Sequence, residues 1–386
     1  MKPHMHSTLL RAQRGVSLIE TMVGILIGMV VVAVVYNLLL AAEGYKRSTM
    51  GVADAQVTGQ LTQFILGREL ANAGNALSAG TDELAICGDW RLKPLPALIT
   101  AGATATTSDD ATIYYSTTTR VVHPVRFATT VTTPNPYQVF SPNGFKVNDW
   151  IIATDRTANC SLGRVTAITA PSTGNPLPPA DSGGLVALAY TPASAFSFNS
   201  GARIINMGQQ LNRVHYWVDP AKAQLQSQNI NPFAIDTAAT PPVVPLAQNV
   251  VLLKAQYGID TNNDNAVDCW TSADNTGTCG GFDLSGPSDP KTLATGGVFA
   301  NAATGARIRM IKAIRIAVVV RSEDVTKADA SNAGLVGQTA WLFNCAANNG
   351  TCQGRIQIDN TVLTDYGRYR IYESTIPLRN SLWNIL

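Results

Sequence analysis

Residues 11–42 read RAQRGVSLIETMVGILIGMVVVAVVYNLLLAA, and this stretch decides the fold. A short basic leader carrying Lys2, Arg11 and Arg14 ends at Gly15. The run from Val16 to Ala42 that follows is apolar, and Glu20 is its one charge. A helix of roughly 20 apolar residues spans a bilayer, so the run is long enough to cross one. A carboxylate one turn inside such a run is costly in lipid and calls for a partner.

A cleaved secretory signal would have a shorter apolar core and a small-residue cleavage site after it, and Ala41-Ala42 fits that site poorly. A plain anchor, with the basic leader held in the cytoplasm, leaves Glu20 and the Arg14-Gly15 junction unexplained. A cut before the apolar run would leave the helix on the mature chain. Such helices can leave lipid and pack side by side, and a buried Glu20 carboxylate would then need a cation beside it. The free amine of a neighbouring subunit's first residue would supply one and set the axial register. Gly24 and Gly28, four apart, allow helices to approach closely.

The remaining chain bounds the alternatives. Of 386 residues only 14% are charged, and the net charge is +2, so no basic field argues for nucleic acid. The Thr, Ala, Asn, Ser and Gly content suits an exported, loop-rich β domain. Six cysteines show no zinc-ribbon spacing, and beyond a membrane segment disulfides are expected. Proximity favours Cys269–Cys279 and Cys345–Cys352, leaving Cys87–Cys160 as the third pair.

After Ala42 the helix should continue as an amphipathic stem over residues 43–80. Val57, Leu61, Phe64, Ile65 and Leu70 recur at three- and four-residue steps, predicting one stripe packed into the core. Glycines at 44, 51, 59 and 67 predict bends, and Asn72, Gly74 and Gly80 an end. From about Thr81 the pattern turns to strands. These cover Ala111–Ser116, Arg120–Phe127, two short strands across Phe145–Ile152, Arg164–Thr169, Leu185–Tyr190, Val214–Val218, Val250–Ile259 and Arg368–Leu378. Met310–Arg321 completes the list, with helix as the alternative because it alternates poorly. Residues 171–184, rich in Pro and Gly, predict a loop or a subdomain seam.

Arg14-Gly15-Val16-Ser17-Leu18-Ile19-Glu20 resembles the class III leader of type IV pilins and type II secretion pseudopilins. The resemblance implies cleavage after Gly15 by prepilin peptidase, methylation of the new N-terminal Val16, and an assembly role for Glu20 at the fifth mature position. Most members carry Phe where Val16 stands. Arg68–Gly74 with Cys87-Gly88, Val147–Asp155 (VNDWIIATD), Tyr257–Asp260 and Arg370–Asn380 (RIYESTIPLRN) are similar to PilW-type minor pilins. PulJ/GspJ-type pseudopilins share the leader but are typically much shorter. Asn37 stands at mature position 22, where many major pilins have a kinking Pro, and this together with the large head argues for a minor subunit.

The fold implied is α+β and pilin-like. The leader spans 1–15, a transmembrane or filament-core helix 16–42, the stem 43–80, and a periplasmic, β-rich, disulfide-braced head 81–386. The resemblance further implies inner-membrane insertion before assembly, then a place in the pilus at the cell surface. The partners it implies are other minor pilins, the major pilin and a PilY-type tip adhesin, in a process of pilus priming, adhesion or twitching motility. A membrane-anchored periplasmic enzyme or binding protein is the reading from another class. Against it, no catalytic or phosphate-loop motif occurs, and His4, His6, His123 and His215 read as leader, surface or packed residues.

One polar constellation stands apart. Asp260, Asn262, Asp264, Ala266 (through its carbonyl) and Asp268 fall at positions 1, 3, 5, 7 and 9 of a calcium loop. Asn265 replaces the usual Gly at position 6, and Thr271 stands where the bidentate Glu belongs. Calcium is one expectation. An Asx-rich turn held by its own hydrogen bonds, with no cofactor, is the other.

Overall fold

Leu18–Asn72 form a single helix of 55 residues, α1. It starts where Ser17 accepts, through its carbonyl, the amides of Glu20 and Thr21 at 3.0 and 3.2 Å. Ser17 and Glu20 have the spacing of a capping box, and an acidic side chain in the first turn suits the helix dipole. The helix runs through every predicted bend: Gly44, Gly51, Gly59 and Gly67 all lie within it. It also runs through Asn37, whose side-chain amide donates to the Ala33 carbonyl at 2.9 Å. It ends where Gly74 turns left-handed at φ 76°, a conformation glycine adopts freely. The computed structural model describes residues 15, 17–75, 87, 96–102, 107–116, 124–131, 136–140, 144–155, 157, 159–169, 186–191, 196–209, 211–229, 241–271, 310–322, 339–343, 355–357 and 369–382. Residues 1–52 and 53–386 form two compact units.

The head of the second unit is built from antiparallel strands. In chain order these are β1 (Ala97–Thr100), β2 (Asp110–Ser116), β3 (Val125–Arg126), β4 (Tyr137–Val139), β5 (Trp150–Thr154), β6 (Cys160–Thr169), β7 (Val186–Thr191) and β8 (Arg203–Gly208). Then come β9 (Leu211–Asp219), β10 (Gln224–Asn229), β11 (Val244–Gln248), β12 (Val250–Ile259) and β13 (Cys269–Thr271). The last are β14 (Ile311–Arg321), β15 (Thr339–Trp341), β16 (Arg355–Gln357) and β17 (Tyr369–Pro377), followed by a short helix, α2 (Arg379–Leu382). Their orders are β1-β2-β9-β10-β11, β3-β8-β5-β6-β7-β4, β13-β12-β14-β17 and β15-β16.

Met310–Arg321 resolves as strand. β12 and β14 pair over nearly their full lengths, and almost every residue of both is buried. A strand covered on both faces reads as a continuous apolar run rather than an alternation. One face of β14, with Ile314, Ile316 and Val318, joins the main core; the other, with Ala317 and Val319, joins a smaller cluster with Leu252 and Leu342. Tyr257 of β12 ties two sheets together. Its hydroxyl accepts the Ile99 amide at 2.6 Å and donates to the Ala97 carbonyl at 3.2 Å. The six-stranded sheet has its own core, centred on Phe127, Tyr137 and Phe198, whose rings lie 4.9–6.0 Å apart.

Two predicted elements differ. Phe145–Ile152 is not a strand pair. Residues 145–149 form a turn with Asn148 at φ 74° and the Asp149 carboxylate accepting the Lys146 amide at 2.7 Å, and only from Trp150 does a strand begin. The stem's packed stripe also differs. Val57, Leu61 and Phe64 are exposed by 63, 45 and 65%. Of the predicted stripe Leu70 is buried and Ile65 half-buried, and the face packed on the head is completed by Ala55, Gly59, Thr62, Leu66, Glu69 and Ala73. Small residues prevail there because β17 approaches the helix closely. A Cβ on Gly59 would lie 2.1 Å from the Tyr372 ring. Of Arg120–Phe127, residues 120–123 lie outside the described residues, as do the seam at 171–184 and the tail 383–386.

Candidate assembly surface

In the first unit, α1 is long and apolar enough to cross a membrane, and none of its most apolar window is buried within the chain. Leu18, Ile19, Met22, Ile25 and Leu26 are each at least 63% exposed. Gly24 and Gly28 have nothing within 4 Å of where a Cβ would stand. Glu20 lies on this same exposed segment. Such a surface is stable in lipid or against other apolar helices, and in water it would aggregate. Gly15 is described; Val16 and the leader residues Lys2, Arg11 and Arg14 lie outside the described residues.

In the second unit, the stem is fixed to the head by side chains from far along the chain. The Tyr372 hydroxyl donates to the Ala55 carbonyl at 3.4 Å. Asn380 donates its side-chain amide to the carbonyls of Asn72 and Ala73, at 3.4 and 2.9 Å. These carbonyls stand at the C-terminal end of α1, where the Asn72 carbonyl also accepts the Asn75 amide at 3.2 Å, so Asn380 helps cap the helix from α2. The Gly74 amide donates to the Tyr114 carbonyl of β2 at 2.7 Å. Glu69, nearly buried, takes the Arg68 guanidinium at 2.8 Å and bonds Tyr115. Burial, and then the Glu69 charge, pushes the Tyr115 phenol up to about 12. Spacing gave no sign of the roles of Gly59, Tyr372 and Asn380, because the contacts join residues some 300 positions apart in sequence.

Cys87 and Cys160 form a disulfide with Cα atoms 5.5 Å apart, joining the segment after the stem to the first residue of β6. Cys269 is also disulfide-bonded. Cys279, Cys345 and Cys352 lie outside the described residues. Beside β12 the carboxylate of Asp109 is buried. It takes the Lys254 ammonium at 2.8 Å and the amides of Gly102 and Ala255, each at 2.9 Å. Burial pushes its proton affinity up, while Lys254 and the amides oppose that push.

The Asp260–Asp268 loop joins β12 to β13. Asp260 is 1% exposed and accepts the amides of Asn263, Asp264 and Asn265. Asn263 and Asn265 adopt left-handed φ of 65° and 68°, which turns those amides inward. Asp264 accepts the Ala266 amide at 2.8 Å, and Asp268 accepts the Thr261 amide and hydroxyl at 2.7 and 2.6 Å. The Thr261 bonds hold the Asp268 carboxyl below its usual range. The Asn262 side-chain amide donates to both Asp264 and Asp268, at 3.1 and 3.4 Å. Among the described residues, no group of three or more His, Cys, Asp or Glu is placed to hold a metal. Ala266, the fourth position of the ligand pattern, is exposed. Sequence spacing gave no warning of Lys312, which enters from β14 with its ammonium 3.0 Å from Asn265 Oδ1 and 3.6 Å from Asp260 Oδ2.

Of the histidines, His215 is buried, stacked on Trp217 at 4.7 Å, and bonded to Asp110 at 3.2 Å. It is a packed residue of β9. His4, His6 and His123 lie outside the described residues.

No curated protein and no solved structure matches the chain. Two family models do. Residues 10–36 match the prokaryotic N-terminal methylation motif, covering Gly15, Val16, Glu20, Gly24 and Gly28. Residues 215–380 match type IV pilus-assembly protein W, covering the β12–β14–β17 sheet, Tyr372 and the capping Asn380. The prepilin N-methylation motif on an exposed apolar helix and the PilW domain of the head together support the role of a type IV pilus minor pilin.

Proposed function

We propose that prepilin peptidase clips this subunit after Gly15, and that it waits in the inner membrane with its head in the periplasm. It then enters the pilus at or near the tip. There it primes or caps assembly and supports adhesion or twitching motility. Its contacts are other minor pilins, the major pilin beneath, and a PilY-type adhesin. The task is structural: the N-terminal helix places the subunit, and the head presents a surface. The observation that carries this reading is Glu20. It is the one charge in the apolar run of residues 16–42, five residues past the Arg14-Gly15 junction.

In a helix bundle, that carboxylate would be stabilised by the N-terminal amine of a neighbouring Val16, a pair that fixes register because an unpaired charge there is strongly disfavoured. Asn37 supports a minor role, since the helix carries no Pro-type break there. In Glu20→Ala the leader should still be removed, but sheared pili should contain at least several-fold less of the subunit, as measured by immunoblot against the membrane pool. Normal incorporation would remove the assembly role from Glu20.

A further inference from the structure

We propose that the outward face of the stem is a docking seam for the helix of a different subunit, one that runs parallel to it and carries an apolar stripe of matching pitch with a basic residue level with Asp54. This rests on the assembly reading above, because subunits anchored in one membrane by residues 16–42 meet with their helices parallel.

Val57, Leu61 and Phe64 follow one another at steps of four and three, the spacing of the apolar seam of a two-stranded coiled coil. All three are exposed. At 3.6 residues per turn they lie across the helix from Ala55, Gly59, Thr62 and Leu66, which are buried against the head. The head therefore leaves the seam uncovered. A single exposed apolar side chain is ordinary, whereas three large ones aligned at this pitch make a contact surface for another helix.

Charge decides which helix fits. The same heptad places Asp54 one step before Val57 and Arg68 one step after Phe64. Arg68 is already turned to Glu69, its guanidinium 2.8 Å from that carboxylate. Asp54 is exposed and in line with the apolar residues. A second copy of this chain, parallel and in register, would bring Asp54 against Asp54, and the two carboxylates would repel across a partly desolvated seam. A polar residue at one such position selects partner and register at a cost in stability. An ammonium or guanidinium across the seam turns that cost into an ion pair. The apolar pitch thus asks for a helix, and Asp54 asks for one unlike this chain's own.

The test places a photo-crosslinking aromatic residue, p-benzoylphenylalanine, at Phe64 of the full chain, with irradiation of intact membranes and of sheared pili. The cross-link should map by mass spectrometry to the N-terminal helix of a different subunit, at a segment with a Lys or Arg one or two turns nearer its N-terminus. Asp54→Lys should lower the yield several-fold, Asp54→Asn should lower it less, and changing the partner's mapped basic residue to Glu should restore the yield with Asp54→Lys. A cross-link to a second copy of this chain or to lipid alone would overturn the proposal, and so would a yield indifferent to Asp54→Lys. Normal entry into pili with no Phe64 cross-link would overturn it and leave the Glu20 reading standing. A mapped, charge-dependent cross-link together with normal pilus entry of Glu20→Ala would do the reverse.

Discussion

Gly59 faces a ring. A methyl group there would stand 2.1–2.6 Å from three atoms of Tyr372, so alanine must push the ring and β17 off the stem. Alanine also favours helix over glycine by about 1 kcal/mol, an opposing effect. Overpacking typically costs about 1–3 kcal/mol, and here it also breaks the bond from Tyr372 to Ala55, so the clash should win. Gly59→Ala should lower the head's unfolding free energy by about 1–2 kcal/mol, and adding Tyr372→Ala should turn the same substitution stabilising, a coupling that a double-mutant cycle measures. At Asp109 the charge decides. Removing Lys254 leaves a buried carboxylate with only its amide donors, a loss of about 3–5 kcal/mol near neutral pH. Burial raises the folded proton affinity of Asp109, and Lys254 is the first opposing cause. In Lys254→Met the folded state therefore holds the proton more tightly than the unfolded chain. By linkage the contribution of Asp109 is fully present below its unfolded value and is lost as pH rises from there through its raised folded value, which a pH series of denaturant melts against wild type would show.

The stem shows how much of an element can be read from residues. That the helix continues past residue 42 was legible, because an unbroken apolar run passes into a periodic one without a proline, but the bends expected at the glycines are not there. Which face packs was not legible. Val57, Leu61 and Phe64 are the larger apolar side chains and draw the eye, but the head takes the face with Ala55, Gly59 and Ala73 because Tyr372 and Ile376 come close to the helix. Leu66→Ala should therefore cost about 2–5 kcal/mol. Phe64→Ala should change head stability by only about 0.5 kcal/mol or less, the range of a surface change. Equal losses from the two, in chemical denaturation of the detergent-solubilised chain, would return the stem to the orientation expected from its periodicity. In β14 the ambiguity has a different cause: both faces are buried, so neither a period of two nor one of 3.6 survives. In the Asp260–Asp268 loop the turn was legible and Lys312 was not, since Lys312 lies 47 positions beyond Asn265.

The whole molecule divides by environment. Among the described residues, those after 52 gather most of their apolar side chains into three buried clusters, whereas the helix of residues 18–52 leaves its large apolar side chains exposed. The Cys87–Cys160 bridge closes a loop with a sequence separation of 73, which loop-closure entropy makes worth about 4 kcal/mol. Replacing both cysteines with serine should lower the denaturant midpoint by a corresponding amount, and a reducing agent should bring wild type towards the same value. The apolar segment has only two stable surroundings, lipid and other helices, and the N-terminal methylation match over residues 10–36 ties it to the leader that pilins lose on the way from one to the other. Mass spectrometry of the mature N-terminus, on chain purified from sheared pili and from membranes, tests this most directly. The expected result is a chain beginning at Val16 with a methylated amine. An intact Met1, or a first residue after Ala42, would contradict it.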